Sequence, residues 1–235
     1  EYLTLKHSMP AGDALSILPG LKKMYEDTGK KWIIYQRVNL SYGDMYGAYP
    51  GASYSIKDEN DVPVTMNRTV FDSLRPFMLF QKYIEDFREW KGETVEYDMD
   101  DLRRQDTTMP YGGINRWPFY LWPEMTCDLS ISWLSGHFVL FGNLKGKILI
   151  NRTERYTNML ISYHFLKEYG DNVIFLGLPN EHEVFCKQFD LNIHRLEVEN
   201  FVEISMAIKS CKLYIGNQSA CFQIAEGHKV SRLLE

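Results

Sequence analysis

The sequence has 235 residues, enough for one large domain or two small ones, so folding needs neither a disulfide nor a metal to hold a small core together. Its 26 basic and 31 acidic residues leave a formal charge of -5, which argues against a protein that coats polyanions such as nucleic acids. Hydrophobic residues make up 45% of the chain and charged residues 24%, a balance that excludes a disordered protein.

The cysteines and the hydropathy predict a cytoplasmic protein. Cys127, Cys186, Cys211 and Cys221 form no CxxC pair and have no metal-ligand spacing with histidine, so we expect reduced, mostly buried thiols. No apolar run approaches the ~20 residues that cross a bilayer, and no charged-then-apolar leader opens the chain. The chain lacks an initiating Met and stops in a predicted strand, so we expect either a fragment or a small version of a larger fold.

The start of the chain predicts the opening of a parallel α/β sheet. Residues 2–7 are β-prone, and residues 31–36 form a second apolar segment that is typical of a buried strand. Between them, the apolar residues from Ala14 to Met24 recur at the spacing of one helix face, which predicts a helix that ends at Gly29. A strand, a helix and a strand in this order predict a right-handed crossover onto one face of a sheet.

The middle of the chain gives weaker signals. Residues 42–54 are rich in Gly and Tyr, which predicts a loop, and the apolar spacing of residues 71–90 predicts one or two helices. The prolines and glycines of residues 107–123 predict an ordered but irregular connection. Asp100 and Asp101 lie in a charged stretch, so we expect both to face solvent.

The last part of the chain alternates regularly between strands and helices. Strands are predicted at residues 147–151, 172–177, 193–198, 212–216 and 231–234, and helices at residues 158–169, 181–189, 201–210 and 218–226. This alternation is typical of a doubly wound α/β domain. The chain is therefore predicted to have two Rossmann-like domains, residues 1–140 with an irregular insertion and residues 141–235.

Ligands of an open parallel sheet bind beyond the carboxyl ends of its strands, so the loops after predicted strands are the candidate site. The first of these loops contains Gly12, which would let the backbone turn tightly, and Asp13. Asp13 either caps the following helix by accepting backbone N–H groups or acts as a general base at the edge of a cleft.

A second loop carries two arginines. Arg152 and Arg155 directly follow a predicted strand of the second domain. They could hold a diphosphate together, because the fork of a guanidinium group matches a pair of phosphate oxygens. The alternative is a surface cluster of these arginines with Glu154, which would contribute little to stability.

A third loop carries two glutamates. Glu181 and Glu183 follow Gly177 at the end of the next strand. Either carboxylate could accept hydrogen bonds from sugar or ribose hydroxyl groups. Equally, both could be ordinary acids in the first turn of a helix, stabilised by the helix dipole.

A fourth loop is a strand-to-helix turn of small and polar residues: Gly216, Asn217, Gln218 and Ser219. Backbone N–H groups at the start of such a helix can bind an anion. The turn lacks both the GxGxxG spacing of a dinucleotide-binding fold and the GxxxxGK[ST] spacing of a P-loop. Neither a hydride-transfer enzyme nor a P-loop ATPase is therefore supported.

Two segments near opposite ends of the chain carry a recognisable pattern. Residues 8–21, SMPAGDALSILPGL, combine a Gly-Asp turn after a strand with a helix that contains an apolar-Pro-x-Leu step. Residues 212–226 combine a strand, a Gly-(Asp/Asn)-x-(Ser/Gly) turn and a helix that contains Ala-Glu. In this order, the segments resemble the two signatures of the ADP-heptose lipopolysaccharide heptosyltransferases, glycosyltransferase family nine.

The resemblance implies a GT-B fold, in which two Rossmann-like domains face each other across a cleft. The first domain would bind a glycan or other hydroxyl acceptor, and the second the nucleotide-sugar donor, with no metal and no bound cofactor. Asp13 would be the catalytic base, and Asn217, Gln218 and Ser219 the phosphate-binding turn. Two features depart from the family: its acidic residue at the second signature is Asn217 here, and its terminal helix is not visible, which predicts a truncated second domain.

Three other functions remain open from the sequence. A nucleotide-sugar epimerase would use a similar fold, and a binding or structural module could keep the fold without catalysis. The substitution at Asn217 favours the inactive module. A sugar transferase that acts on nucleic acid is less favoured, because the net charge of -5 does not supply a basic groove.

Overall fold

The computed structural model of the protein describes residues 1–48, 52–53, 56–104, 112–136 and 139–235. The contacts of the chain divide it into a first unit, Glu1–Gly136, and a second unit, His137–Glu235. Residues 49–51 and 54 of the predicted loop, and residues 107–111 of the predicted irregular connection, lie outside the described residues. Of the helices that are described, none is long and apolar enough to cross a lipid bilayer.

A parallel sheet forms the centre of the first unit. Its strands are β1 (Leu3–His7), β2 (Trp32–Gln36), β3 (Ile84–Glu89) and β4 (Tyr97–Asp98). Its helices are α1 (Ala11–Ser16), α2 (Leu18–Thr28), α3 (Tyr42–Tyr46), α4 (Arg68–Leu79), α5 (Asp101–Arg104) and α6 (Pro118–Leu121), with short 3₁₀ helices at Ile114–Arg116 and Pro123–Met125. The strand order is β3-β2-β1-β4, and every pair is parallel. The predicted strands at residues 2–7 and 31–36 are therefore confirmed.

The predicted helix between β1 and β2 is divided in two. Helix α1 ends and α2 begins around Ile17, and Pro19 lies in the first turn of α2. A proline has no N–H group to donate within a helix, so it fits the first turn and not the interior. Helix α2 ends as predicted at Gly29, whose φ of 69° is the left-handed conformation that favours glycine.

The predicted helices over residues 71–90 are half wrong. Helix α4 covers the first part, but Ile84–Glu89 is a strand. The register between β2 and β3 shifts after Trp32, which pairs with Ile84 while Ile33 pairs with Asp86. The extra residue turns both Ile84 and Phe87 towards the core, so a bulged strand has the three-residue apolar spacing of a helix.

The predicted loop over residues 42–54 begins with a helix instead. Helix α3 occupies its start, and the Ser41 hydroxyl caps this helix by accepting a hydrogen bond from the Gly43 N–H at 3.1 Å. The buried Tyr42 anchors the helix to the core of the first unit. Local capping and one buried aromatic ring outweigh the low helix propensity of glycine here.

The second unit is also built on a parallel sheet. Its strands are β5 (Ile148–Asn151), β6 (Val173–Leu176), β7 (His194–Leu196), β8 (Leu213–Gly216) and β9 (Arg232–Leu234), in the order β7-β6-β5-β8-β9. Its helices are α7 (Pro179–Phe189), α8 (Phe201–Ser210) and α9 (Ala220–His228), with 3₁₀ segments at Gly142–Leu144 and His164–Asn172. Each of these strands, and each of helices α7 to α9, was predicted to within two residues at either end. The alternating α/β pattern of the sequence is thus confirmed.

The predicted helix over residues 158–169 is wrong in its first half. Helical structure begins only at His164, as a 3₁₀ segment. Before it, the Asn158 side chain accepts a hydrogen bond from the Leu160 N–H at 3.0 Å, and the Asn158 carbonyl accepts one from the Ile161 N–H. An asparagine that satisfies nearby N–H groups in this way favours a turn over a helix.

In both sheets, the chain changes sides at the first strand of the unit. The first unit places β2 and β3 on one side of β1 and then β4 on the other, and the second unit places β6 and β7 on one side of β5 and then β8 and β9 on the other. Loops that leave the two strands at such a point diverge, and ligands bind in the crevice between them. The residues that follow β1 and β4, and those that follow β5 and β8, are therefore where a site is expected.

A hydrogen bond joins helices α8 and α9 of the second unit. The Oγ of the buried Ser205 lies 2.6 Å from Nε2 of His228. Burial lowers the pKa of His228 to about 3, and the nearby Lys209 cation acts in the same direction. His228 therefore stays neutral in the folded protein at a pH where an ordinary histidine is charged.

This neutral histidine makes the stability of the protein dependent on pH. Below pH 6.5 the unfolded chain binds a proton at His228 that the folded chain does not bind, so stability is complete above 6.5 and is lost as the pH falls towards 3. Between pH 7 and pH 5, we expect the free energy of unfolding of the wild type to fall by about 2 kcal/mol more than that of His228→Gln. Urea denaturation of both proteins at the two pH values measures this difference. Equal losses in both proteins would contradict it.

Candidate functional site

The crevice between β1 and β4 contains a buried cluster of charges. Asp100, expected to face solvent, is only 5% exposed. Its carboxylate accepts hydrogen bonds from the Ser8 N–H at 3.1 Å and the Ser8 hydroxyl at 2.6 Å, and it lies 2.7 Å from the Lys6 ammonium group. The side chain of Asp101, by contrast, is 45% exposed, as expected, and pairs with Arg104.

Asp98 completes the cluster around Lys6. Its carboxylate lies 3.1 Å from the Lys6 ammonium group and accepts the Asp100 N–H at 3.0 Å. Burial alone would raise the pKa of Asp98, but these bonds outweigh it and lower the pKa. The prediction of a solvated Asp100 was wrong because β4 pairs with β1, which brings the start of α5 against the buried end of β1.

Asp13 lies at the same crevice but does not cap a helix. Pro10 occupies the N-cap position of α1, and Asp13 lies in the first turn without a capping hydrogen bond. Gly12 is likewise a helical residue and does not form the predicted tight turn. The Asp13 carboxylate, 24% exposed, instead accepts a hydrogen bond from Nη2 of Arg103 at 3.1 Å.

Sequence reasoning missed Arg103. It follows the buried Asp100 by three residues in a charged stretch, and charged stretches usually lie in solvent. Only the pairing of β4 with β1 brings it to Asp13, ninety residues away in the chain. No local pattern in the sequence marks such a contact.

His7 lies beneath this pair as a neutral group. Its side chain is buried, and its Nδ1 hydrogen-bonds with Oε1 of Gln36 at 3.1 Å. Burial lowers the pKa of His7, and the nearby carboxylates of Asp100 and Asp13 oppose this without reversing it. The cation beside Asp13 is therefore Arg103 and not His7.

In the second unit, Arg152 is paired within the protein. Its side chain is 6% exposed, and its guanidinium group grips the Glu235 carboxylate with a shortest distance of 2.9 Å. Its Nη1 donates to Gln188 at 3.0 Å, and the guanidinium lies over the rings of Tyr163 and Phe189. The expected surface cluster with neighbouring charges is therefore wrong for Arg152.

Glu235 is the centre of this arrangement. Besides Arg152, its carboxylate accepts hydrogen bonds from the Asn158 N–H at 2.6 Å and the Tyr163 hydroxyl at 3.0 Å. Burial alone would raise the pKa of Glu235, but these donors outweigh it and lower the pKa. Arg155 points elsewhere, with its guanidinium against Tyr156, so the two arginines do not form one paired group.

The turn after β8 is fixed by the side chain of Asn217, which is fully buried. Its amide oxygen accepts hydrogen bonds from the Thr153 N–H at 3.1 Å and hydroxyl at 3.2 Å, and its amide nitrogen donates to the carbonyls of Thr153 and Arg155. Asn217 therefore joins the loop after β8 to the loop after β5. Its side chain cannot contact a ligand while it holds these four bonds.

Neighbouring residues complete the turn. Ser219 is the N-cap of α9: its hydroxyl accepts from the Phe222 N–H and donates to Oδ1 of Asn151 at 3.0 Å. Gly216 lies so close to Asn151 that a Cβ atom there would be 2.6 Å from the Asn151 carbonyl oxygen. Gln218 is exposed. The part of this turn that can face a ligand is its backbone, the side chain of Gln218 and the first N–H groups of α9.

The loop after β6 contains a helix cap. Oε2 of Glu181 accepts a hydrogen bond from the Leu178 N–H at 2.9 Å, the arrangement expected of a first-turn acid. Burial raises the pKa of Glu181, against the effect of that hydrogen bond. Gly177 packs against Glu181 and Phe175, because a Cβ atom there would lie within 3 Å of both side chains. Glu183 is exposed.

Comparison with solved structures identifies the fold. No protein-family model and no curated protein matches the sequence. The glycosyl transferase family 9 protein from Veillonella parvula DSM 2008 matches 100% of this chain and 80% of its own, with a TM-score of 0.54 and 10% identity. TibC, an iron-containing dodecameric glycosyltransferase from enterotoxigenic E. coli H10407, matches 99% of this chain and 59% of its own, with a TM-score of 0.51 and 9% identity. The predicted α/β architecture with two parallel sheets is thereby confirmed, and the predicted resemblance to this family holds for the fold.

The four bonds of Asn217 predict the cost of an acidic residue at this position. In Asn217→Asp, a carboxylate oxygen replaces the nitrogen that donates to two carbonyl oxygens, so acceptor faces acceptor in a buried place. We expect a loss of about 2–4 kcal/mol in the free energy of unfolding, measured by urea denaturation at pH 7. The matched control is Gln218→Glu, which makes the same change of charge at the exposed neighbour and should cost less than about 0.5 kcal/mol. Equal stability of the two variants would contradict this reading of the turn.

Proposed function

We propose that the protein transfers a sugar from a nucleotide-diphosphate donor to a hydroxyl group of an acceptor. The observation that carries the proposal is the position of Asp13: a partly exposed carboxylate in the crevice where the first sheet changes sides, held by one arginine. The likeness of the fold to two solved glycosyltransferases supports it. A carboxylate at this place can accept a proton from a bound hydroxyl group.

The reaction is a direct displacement at the anomeric carbon of the donor sugar. Asp13 takes the proton of the acceptor hydroxyl while the hydroxyl oxygen forms a bond to the anomeric carbon. The bond from that carbon to the diphosphate oxygen breaks, and the diphosphate leaves with the electron pair. We assign no metal to this step, since positive groups and backbone N–H groups can stabilise the leaving diphosphate.

The second unit binds the donor in this proposal. The backbone of residues 216–219 and the first N–H groups of α9 provide donors for phosphate oxygens, and the helix dipole favours the negative charge. Arg155 is assigned to the diphosphate as well, because its backbone carbonyl accepts a hydrogen bond from the Asn217 side chain at this turn. Arg152 acts indirectly, through Glu235, by holding the loop that carries Arg155. Gly177, which directly follows β6, and the exposed Glu183 of α7 are assigned to the sugar or ribose hydroxyls.

Substitution of Asp13 tests the base. Asp13→Asn keeps the shape of the side chain but removes its capacity to take a proton, so we expect turnover to fall about 10²–10⁴-fold while donor binding is unchanged. Release of nucleoside diphosphate from the donor, with a panel of glycans as acceptors, measures turnover, and calorimetry measures binding. The matched control is Asp101→Asn, the same change at an exposed aspartate that pairs with Arg104. Unchanged turnover in Asp13→Asn would remove Asp13 from the mechanism.

Binding of nucleotide-sugars tests the second half of the proposal. At 100 times its Kd, a donor adds about 2.7 kcal/mol to the stability of the folded protein, so one of the ADP-, GDP-, UDP- or CDP-sugars should raise the melting temperature. Arg155→Ala should weaken this shift. Lys187→Ala, which removes an exposed cation from the last turn of α7, should leave it unchanged. A protein that none of these four donor classes stabilises would contradict the assignment.

A further inference from the structure

Arg103, the charged group that contacts Asp13, is itself held by several neighbouring side chains. It lies in the last turn of α5, and its Nη2 donates to Oδ2 of Asp13 at 3.1 Å. Its Nε contacts Sδ of Met9 at 3.2 Å. The guanidinium group also lies over the ring of Trp117, 5.0 Å from the centroid, and over that of Tyr46 at 5.6 Å. Four residues from three separate segments of the first unit thus contact one side chain.

These contacts fix the plane of the guanidinium group. Two aromatic rings lie near the cation, and the negative face of each ring attracts it. The edge of the group is then left to donate hydrogen bonds in a fixed direction, and that direction leads to Asp13. A lysine at this position would supply the charge but not the fixed fork.

The start of α5 is fixed as well. Asp100, just before the helix, is bonded to both the N–H and the hydroxyl of Ser8, and it pairs with Lys6. Arg103 therefore extends from a turn whose backbone is anchored by buried bonds, and its side chain is restrained further by its contacts with Met9, Tyr46 and Trp117. An ordinary surface ion pair, which contributes about 0–1 kcal/mol, has no such support.

The hydrogen bond also distinguishes the two oxygens of Asp13. Oδ2 is occupied by Arg103, and among the described residues none bonds to Oδ1. With Oδ2 bonded to Arg103, Oδ1 is the atom of Asp13 that is left to accept a proton, and its direction is fixed. Alignment of this kind matters because a displacement of about 1 Å in a reacting group can lower the rate by about 10²-fold.

We infer that Arg103 is a positioning residue for Asp13, which holds Oδ2 so that Oδ1 faces the acceptor hydroxyl. The inference rests on the proposed glycosyl transfer and deepens it. It assigns a task to the middle of the chain, since Tyr46, Arg103 and Trp117 all come from the part whose function the sequence did not reveal.

A double-mutant cycle tests this role, because a residue that acts through Asp13 has nothing to position once Asp13 is disabled. The variants are Arg103→Met, Asp13→Asn and the two together, with nucleoside diphosphate release measured from whichever of the four donors binds, using water and the glycan panel as acceptors. We expect Arg103→Met to lower kcat by about 10²-fold with donor Kd unchanged, and to lower it by less than about twofold in the Asp13→Asn background.

Two further variants separate position from charge. Arg103→Lys keeps the charge without the fork and should recover only part of the lost kcat. Arg104→Met removes the same charge from the adjacent residue, which pairs with Asp98 and Asp101, and should leave kcat within about twofold of the wild type. Wild-type kcat in Arg103→Met, or the same loss in both backgrounds, would overturn the inference.

Failure of the proposed function gives a different result. If wild type and Asp13→Asn release nucleoside diphosphate equally, glycosyl transfer through Asp13 is excluded whatever Arg103 does. A crystal structure of ligand-free Arg103→Met then decides the positioning role without any turnover. An Asp13 side chain that turns away or occupies several rotamers supports the role, and one that keeps its place with Oδ2 in the same position overturns it.

Discussion

The buried carboxylate of Asp100 joins strand β1 to a segment ninety-two residues further along the chain. A buried charge is costly unless it is paired and hydrogen-bonded, and Lys6 and both polar groups of Ser8 meet that requirement here. Everything proposed for the first unit depends on this junction. The bonds of Asp100 hold β4 beside β1 and fix the position at which α5 begins. Arg103 of α5 therefore lies next to Asp13.

In the second unit, neutral side chains join the loops that follow the two central strands. The chain of this unit crosses from one side of the sheet to the other between β5 and β8, and the Asn217 amide joins the loops after these strands through four hydrogen bonds. Oδ1 of Asn151 also accepts hydrogen bonds from the hydroxyls of Ser219 and Tyr214. Because these amides carry no net charge, the electrostatic field at this turn comes from the backbone dipoles of α9 and from Arg155. In the proposed function, this crevice binds the anionic donor, and the charged crevice of the first unit accepts the proton of the acceptor hydroxyl.

Local signals in the sequence were sufficient for most of the fold. Short apolar runs predicted β1 and β2 of the first sheet and all five strands of the second. The ends of these strands then located the loops that carry Asp13 and Asn217, because ligands bind beyond the carboxyl ends of parallel strands. Contacts between distant parts of the chain could not be predicted from local sequence patterns. The burial of Asp100, the partner of Arg103 and the pairing of Arg152 with Glu235 all depend on which strands become neighbours. The prediction of a helix at residues 84–89 was wrong for a different reason: the inserted residue of the bulge gives strand β3 the apolar spacing of a helix.

The close packing of Gly216 restricts which residues can occupy position 216. Any side chain at position 216 would push against the Asn151 carbonyl and drive apart β5 and β8, the two strands whose ends Asn217 holds together. Homologues that keep these two strands side by side should therefore keep this glycine, whether an asparagine or an aspartate follows it.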